Sequence, residues 1–325
     1  MSVVRSVVTG VGAYLPEKIV TNAELAETVD TSDEWIVERT GIRQRHQVAE
    51  GQPVSDLAFE AAKQALERAG KTAADVDLII VATTTPDMTF PATATIVQRK
   101  LGAPVGIAFD IQAVCSGFVY ALSVADGFVA RGHAKCALVI GAEAMTRLMD
   151  WSDRGTCVLV SDGAGAVVLA PMEGEGTTAD RGLLGFALRA DGTKQELLYV
   201  DGGPSTTGTV GKLRMLGNQV FKHAVINISE AIHAAAKAAD IQIADVDWFI
   251  PHQANQRILA GVAHRVGLDE HKVISTVATH ANTSAASIPL AFAQGIADGR
   301  IKPGQLLVLE AMGGGLTWGA CVLRL

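Results

Sequence analysis

The chain has 325 residues, of which 49% are hydrophobic and 5% aromatic, with a formal net charge of −7 and a pI near 5.6. This composition predicts a large buried core and argues against disorder. An acidic chain is also a poor partner for nucleic acid, because phosphate binding needs a basic surface. The abundance of alanine, valine and glycine is typical of an α/β protein with buried strands.

The N-terminal segment 2–16 predicts a strand and a turn rather than a secretion signal. No apolar run of about 18 residues is free of Gly, Pro or charge, so we expect no membrane segment and a cytoplasmic location. Gly10 and Gly12 match the start of a dinucleotide fingerprint, but Leu15 stands where the third glycine belongs. Nicotinamide binding is therefore not expected. The cysteines lack metal-ligand spacing, which predicts no metal site and fits a reducing compartment.

Three stretches of the first half recur in the same order in the second half. Residues 65–80 align with 235–250, and each stretch predicts a helix, a polar turn and a buried strand. Residues 138–140 align with 307–309, and 165–169 align with 319–323. Similar composition among alanine-rich proteins is the alternative explanation. We predict a duplicated α/β unit, with halves 1–172 and 173–325 joined by the glycine-rich linker 173–182.

Cys115 lies where the apolar run 105–114 ends and a helix is predicted over 116–131. A thiol at a helix N-terminus faces unpaired N–H groups and the positive end of the dipole, which favours the nucleophilic thiolate. The alternative is a buried structural cysteine, because free cysteine is among the most buried residue types. The structural role is what we expect for Cys136, Cys157 and Cys321, which lie within or beside apolar strands.

Polar residues follow two predicted elements of the second half. His252 comes after an apolar strand and Pro251, where an imidazole can donate a hydrogen bond or move a proton. Asn282 precedes a helix predicted over 288–298, and its amide can donate without being deprotonated, although it could also serve as a helix cap. In the glycine loop 313–315, the Gly314 N–H could form an oxyanion hole with the N–H of Cys115.

These residues resemble the Cys-His-Asn triad of the β-ketoacyl-acyl-carrier-protein synthase III family, part of the thiolase-like superfamily. The motifs that carry the resemblance are Ala-Val-Cys-Ser-Gly-Phe at 113–118, Pro-His-Gln-Ala-Asn at 251–255, Asn-Thr-Ser-Ala-Ala-Ser at 282–287, the segment 31–43 and Ile-Lys-Pro-Gly-Gln at 301–305. The resemblance covers nearly the whole chain from Gly10 onward. It implies a five-layer αβαβα fold built from two thiolase-type halves.

The family implies an initiating condensation of type II fatty acid synthesis. Cys115 takes an acyl group, typically acetyl, from coenzyme A. Malonyl-acyl-carrier protein then loses CO₂, and its carbanion attacks the acyl-cysteine to give 3-oxoacyl-carrier protein. His252 and Asn282 donate to the thioester oxygen during decarboxylation. The resemblance implies acyl-CoA as substrate, no tightly bound cofactor, acyl carrier protein as partner and a homodimer.

Further roles are carried over from the family position by position. Coenzyme A contacts are implied for Trp35, Arg39, Arg154 and Asn218. The substrate pocket would include Met215, Met312 and Phe90, the last reaching across a dimer interface. Contacts with the acidic carrier protein are implied for Arg257, Lys222 and Gln253.

Four positions depart from the commoner family pattern. Met312 and Leu316 stand where many members have Phe, Ala281 where many have Gly, and Trp151 where Pro is frequent. These departures surround the triad and the coenzyme A entrance, so they bear on the choice of acyl chain. A related ketosynthase of secondary metabolism with a different starter is the alternative, and a catalytically silent dimeric scaffold is the non-enzymatic one.

Overall fold

The computed structural model describes residues 2–325, and its chain alternates between strands and helices. The strands are β1 (Val3–Tyr14), β2 (Lys18–Thr21), β3 (Gln44–Gln47), β4 (Leu78–Ala82), β5 (Ile107–Ile111), β6 (Ala137–Ala144), β7 (Asp162–Gly174), β8 (Gly182–Ala190), β9 (Leu198–Val200), β10 (Leu213–Met215), β11 (Trp248–Pro251), β12 (Leu306–Gly313) and β13 (Thr317–Arg324). The helices are α1 (Asn22–Ala26), α2 (Asp33–Thr40), α3 (Val54–Arg68), α4 (Thr93–Leu101), α5 (Gly117–Ala130), α6 (Gly217–Ala238), α7 (Gln256–Val266), α8 (Val277–His280) and α9 (Ser287–Ala297).

Two sheets repeat one strand order. The first sheet runs β1-β7-β6-β4-β5 and the second runs β8-β13-β12-β11. In each sheet the first three strands of this order pair antiparallel, and the third pairs parallel with the fourth. The second sheet has only a single parallel bridge, Phe249 to Val273, in the place that β5 takes in the first. The duplicated stretches therefore occupy matching positions, as the aligned sequences predict.

Three apolar clusters define the layers. The helices α5 and α9 lie between the two sheets, where Phe118 and Phe292 pack with strand residues of both halves. The helix α3 packs its alanine face on the outside of the first sheet, and α6 and α7 cover the outside of the second. The strands β4 and β6 are buried along their whole length, which explains the unbroken apolar sequence of β4 and the apolar start of β6. The arrangement is the expected αβαβα fold.

The connection between the halves is short and ordered by one side chain. The strand β7 ends at Gly174, two residues beyond the predicted boundary, and β8 begins at Gly182. Between them, the Asp180 carboxylate accepts hydrogen bonds from the backbone N–H groups of Glu175, Gly176 and Thr177. The division into two domains at 172/173 stays a prediction.

Among the described residues, no helix has both the length and the apolar character needed to cross a bilayer.

Candidate active site

A cavity of about 550 Å³ opens between the two halves of the chain. Cys115 from the first half and His252 and Asn282 from the second all line its wall. Cys115 follows β5, His252 follows β11 and Asn282 precedes α9. The structure therefore places the three predicted triad residues on one cavity, and their catalytic roles stay predictions.

Cys115 lies in a 3₁₀ turn, Val114–Ser116, and α5 begins at Gly117 rather than at the predicted residue 116. Its side chain is buried, and this burial raises the pKa of the thiol to about 12, while a hydrogen bond with Ser284 lowers it and the charge of Glu143 raises it. Burial therefore opposes the thiolate that the helix N-terminus is expected to favour, because desolvation penalises the charged form.

The second half repeats this turn at Ser284–Ala286, immediately before α9. Val114 and Ser284 hold the same left-handed backbone, with φ values of 49° and 50°. A non-glycine residue in this region is strained, and such strain is retained where packing over-determines it. The Asn282 Oδ1 atom accepts the Ser284 N–H at 2.8 Å. This bond leaves the Nδ2 group unused, and Asn282 lines the cavity.

His252 is oriented by Ser287, the first residue of α9. The Ser287 Oγ atom accepts the N–H of Gln253 at 3.3 Å and lies 2.6 Å from His252 Nδ1. Among the described residues, its hydroxyl proton has no other acceptor, so it donates to Nδ1 and the ring proton resides on Nε2. Burial lowers the pKa of His252 to about 4. The imidazole is therefore neutral and carries an Nε2–H donor.

The glycine loop touches the Cys115 turn. A β-carbon added to Gly313 would lie 2.6 Å from the Cys115 backbone nitrogen, so only glycine permits this approach. The Thr317 Oγ1 atom donates to Ala113 O or Gly314 O, at 3.0 and 3.2 Å, and lies 2.9 Å from the Ser116 Oγ atom. Gly313 thus makes the close contact, and the oxyanion-hole role of the Gly314 N–H stays a prediction.

The mouth of the cavity is cationic and aromatic. Ser32 caps α2 by accepting the N–H of Trp35, and this helix carries Trp35 and Arg39 onto the cavity wall. The guanidinium groups of Arg39 and Arg154 lie 4.8 and 5.3 Å from the centre of the Trp35 ring. At this spacing no base fits between Trp35 and Arg154, so Arg154 has to move before an adenine can stack there. Asn218, at the start of α6, also lines the cavity.

The remaining predicted residues differ in where they lie. Met215 and Met312 line the cavity, whereas Phe90 is 81% exposed. Arg257 lies at the cavity mouth and is exposed, as is Lys222.

The prediction that Gln253 contacts the carrier protein is wrong. The Gln253 side chain is fully buried, and its amide bonds to the backbone of Pro251, Ile274 and Thr276. A partner protein cannot reach a side chain that is enclosed on every side. Gln253 instead ties the end of β11 to the segment before α8.

Three of the departures from the family pattern have clear surroundings. Ala281 has a φ of 51°, a region that glycine adopts more easily, so the alanine adds strain beside Asn282. Leu316 is buried in the apolar cluster of the second sheet, and Met312 belongs to the same cluster. Trp151 is 40% exposed.

Sequence reasoning missed four polar residues around the triad: Glu143, Ser284, Ser287 and Thr317. Ser284 and Ser287 belong to the motif at 282–287, and the hydroxyl residues of that motif could have been singled out from the sequence as neighbours of Asn282. Glu143 ends an apolar strand and resembles any strand-end carboxylate in the sequence. Only the packing of the two turns shows that it lies behind Cys115.

Comparison with known proteins identifies the family. Family models described as 3-Oxoacyl-[acyl-carrier-protein (ACP)] synthase III and its C-terminal part match residues 109–192 and 236–325. The chain is 86% identical over 321 residues to a beta-ketoacyl-[acyl-carrier-protein] synthase III of Caulobacter vibrioides, covering 99% of this chain and all of that one.

Solved structures agree over nearly the whole length. A 3-oxoacyl-[acyl-carrier-protein] synthase III from Aquifex aeolicus superposes with a TM-score of 0.93 at 43% identity, covering 98% of this chain and 100% of that one. The priming β-ketosynthase of the R1128 polyketide pathway gives a TM-score of 0.92 at 34% identity, covering 99% and 96%. The chain therefore belongs to the 3-oxoacyl-[acyl-carrier-protein] synthase III family.

Proposed function

We propose that this enzyme initiates fatty acid synthesis by transferring an acyl group, typically acetyl, from coenzyme A to Cys115 and condensing it with malonyl-acyl-carrier protein. The observation that carries the proposal is the single cavity that joins Cys115, His252 and Asn282 to a cationic mouth. The names of the relatives, beta-ketoacyl-[acyl-carrier-protein] synthase III, support the same activity.

In the first half-reaction, the Cys115 sulfur attacks the thioester carbon and coenzyme A leaves. The cavity that leads to Cys115 is lined by Trp35, Arg39 and Asn218, which suit the base, the phosphates and the amide arm of coenzyme A respectively. Arg154 leaves its place over the Trp35 ring and then closes on the adenine. Acyl-CoA serves as substrate, and the scheme needs no tightly bound cofactor. Covalent storage of the acyl group splits one difficult condensation into two easier steps.

In the second half-reaction, the malonyl group loses CO₂ and leaves an enolate on its thioester. The His252 Nε2–H and the Asn282 Nδ2 group donate to that enolate oxygen. The carbanion then attacks the acyl carbon, and the Cys115 N–H with the Gly314 N–H stabilise the oxyanion. Loss of CO₂ generates the carbanion, so no base has to remove a carbon-bound proton.

Surface features support the proposed partners. Arg257 at the cavity mouth and Lys222 on α6 are both exposed cations, which suit an acidic carrier protein despite the net charge of −7. Exposed Phe90, the free edge of β5 and fully exposed Val105 favour a homodimer in which Phe90 lines the neighbouring acyl pocket. The four buried, unpaired cysteines of residues 2–325 fit the proposed cytoplasmic setting.

Mass spectrometry of the intact protein after incubation with a panel of acyl-CoA thioesters tests the proposal. We expect an adduct of acetyl mass on the wild type and none on Cys115→Ala. Condensation at a near-normal rate in Cys115→Ala would refute the mechanism. A preference for branched, long or aromatic acyl groups would instead favour the secondary-metabolite alternative.

The roles of His252 and Asn282 are tested by separating the half-reactions. In His252→Ala and Asn282→Ala, decarboxylation of malonyl-acyl-carrier protein should slow more than acylation of Cys115, because both donors act on the enolate oxygen. Equal loss in the two half-reactions would contradict this assignment.

A further inference from the structure

One buried carboxylate beside Cys115 takes no part in the scheme above. Glu143, the penultimate residue of β6, is completely buried. Its oxygens accept hydrogen bonds from the Thr84 N–H at 3.1 Å and from the hydroxyls of Thr84 and Thr85, the latter at 2.6 Å. The Thr83 hydroxyl donates as well, at 3.3 Å, so three consecutive threonines after β4 supply polar contacts where a buried charge needs them.

The same carboxylate reaches the catalytic turn through one serine. The Ser284 hydroxyl donates to Glu143 Oε1 at 3.1 Å. The turn Ser284–Ala286 packs against the turn Val114–Ser116, and Ser284 acts to lower the pKa of the Cys115 thiol. Ser284 keeps this position although its φ of 50° is unfavourable for a side-chain-bearing residue. Strain at such a residue, held between two functional groups, points to a role in the chemistry.

We propose that Ser284 is a catalytic residue that relays the Cys115 proton to Glu143 during acylation, with Glu143 as the positioning residue behind it. The proposal rests on the function proposed above, since it names the proton acceptor of the first half-reaction. A buried neutral thiol needs such an acceptor. The neutral His252 ring, with its proton on Nε2, is arranged to donate and not to accept.

The step balances in atoms and charge. The Cys115 S–H proton moves to Ser284 Oγ while the Ser284 O–H proton moves to Glu143, and the sulfur forms its bond to the acyl carbon. The bond from that carbon to the coenzyme A sulfur breaks, and the released thiolate takes a proton from solvent. After condensation, the Cys115 thiolate leaves the tetrahedral intermediate and recovers its proton from Glu143 through Ser284.

The proton affinity of Glu143 suits this task. Burial raises the pKa of Glu143 to about 6, against the lowering effect of its hydrogen bonds from Thr85, Thr84 and Ser284. The carboxylate is therefore ionised at neutral pH and can accept a proton.

Few titratable groups face it. The threonines at 83–85 and Ser284 are uncharged, Gly163 lies opposite on β7, and the neighbouring Asp162 turns its carboxylate to Thr146 and Val48. Cys115 is the titratable side chain that faces Glu143 through Ser284.

The test compares two reactions of Cys115 in Glu143→Gln and Ser284→Ala. Single-turnover acylation by acetyl-CoA, followed by rapid quench and intact mass, should slow by roughly 10²-fold, the usual contribution of a proton acceptor. Alkylation by iodoacetamide, which reports the thiolate population, should become faster in Glu143→Gln, because removal of the negative charge lowers the pKa of the thiol. An unfolded variant would also lose acylation and would alkylate Cys115 faster, so each variant is first required to show the cooperative melting transition of the wild type.

The pH profile adds a second readout. In the wild type, acylation should rise with pH through about 6 and then level off, and this acid limb should vanish in Glu143→Gln. Asp162→Asn is the matched control, because Asp162 is equally buried and also held by a threonine and a backbone N–H, yet does not contact Cys115. It should keep the acid limb.

The outcomes separate the relay from the function on which it rests. Acylation of Glu143→Gln at the wild-type rate, or an unchanged acid limb in that variant, overturns the relay alone. A wild type that forms no acyl-enzyme with any acyl-CoA overturns the proposed function.

Discussion

Alkylation of Cys115 should speed up about tenfold for each pH unit, without a plateau, up to about pH 10. The thiolate is the reactive form, and burial raises the pKa of this thiol from its ordinary value of 9.0 to about 12. In the unfolded chain this desolvation is absent. The unfolded thiol should therefore reach its plateau near its ordinary pKa.

The size of the effect follows from that shift. A difference of about three pKa units corresponds to about 4 kcal/mol in favour of the neutral thiol. At pH 8 the thiolate fraction is then roughly 10⁻⁴ in the folded protein, against roughly 10⁻¹ for a thiol with the ordinary pKa. Alkylation of the folded protein at this pH should be slower than that of the unfolded chain by about 10³-fold or more.

The assay is peptide mass spectrometry after timed exposure to iodoacetamide over a range of pH, with the guanidinium-unfolded protein as the reference. Peptide resolution is needed, because Cys136, Cys157 and Cys321 are buried too and also have raised pKa values. A plateau for Cys115 below about pH 9 would refute the argument that desolvation dominates this site.

Four further substitutions test other parts of the structure. Ser287→Ala removes the hydrogen bond that fixes the His252 tautomer. Decarboxylation should then slow about tenfold, as expected for one hydrogen bond of about 1–1.5 kcal/mol, while the acylation rate stays unchanged. A similar slowing of acylation would contradict this role of Ser287. Burial raises the pKa of Glu310, so wild-type stability should fall by up to about 1.4 kcal/mol per pH unit as pH rises above the ordinary carboxyl pKa. Glu310→Gln should flatten that dependence in denaturation curves, and parallel curves for the two proteins would argue against it. Gly141→Ala would place a β-carbon 2.3 Å from a backbone oxygen of the second half, so its melting temperature should fall sharply. Gly127 on α5 is exposed, and a β-carbon there would have nothing within 4 Å, so Gly127→Ala should gain about 0.5–1 kcal/mol of stability. An unchanged melting temperature in Gly141→Ala would show that β6 and the turn Ser284–Ala286 can move apart to admit the added carbon.

The outline of the fold could be predicted because it is encoded locally. Short unbroken apolar runs such as Leu78–Ala82 favour buried strands, and their recurrence at matching places predicts two related sheets. The caps of α2, Ser32 before it and Gly41 after it, are likewise visible in the sequence. Cys115, His252 and Asn282 were found for the same reason, since each follows or precedes a recognisable element.

Tertiary packing decided the protonation states. The sequence places Cys115 at a helix start, which predicts a thiolate, but the second sheet and its turn bury the sulfur and favour the neutral thiol. Gln253 shows the same limit, because an amide in a polar motif resembles a surface group until β11 and the segment before α8 enclose it.

Short-range patterns of apolar and polar residues are enough to predict the duplicated α/β architecture and the residue types of the triad. Which groups surround the triad depends instead on how distant parts of the chain pack together. Glu143 and Ser284 are far apart in the chain, yet the packing of two equivalent turns brings both to Cys115. The solvation of that thiol depends on this packing, and no local pattern contains it.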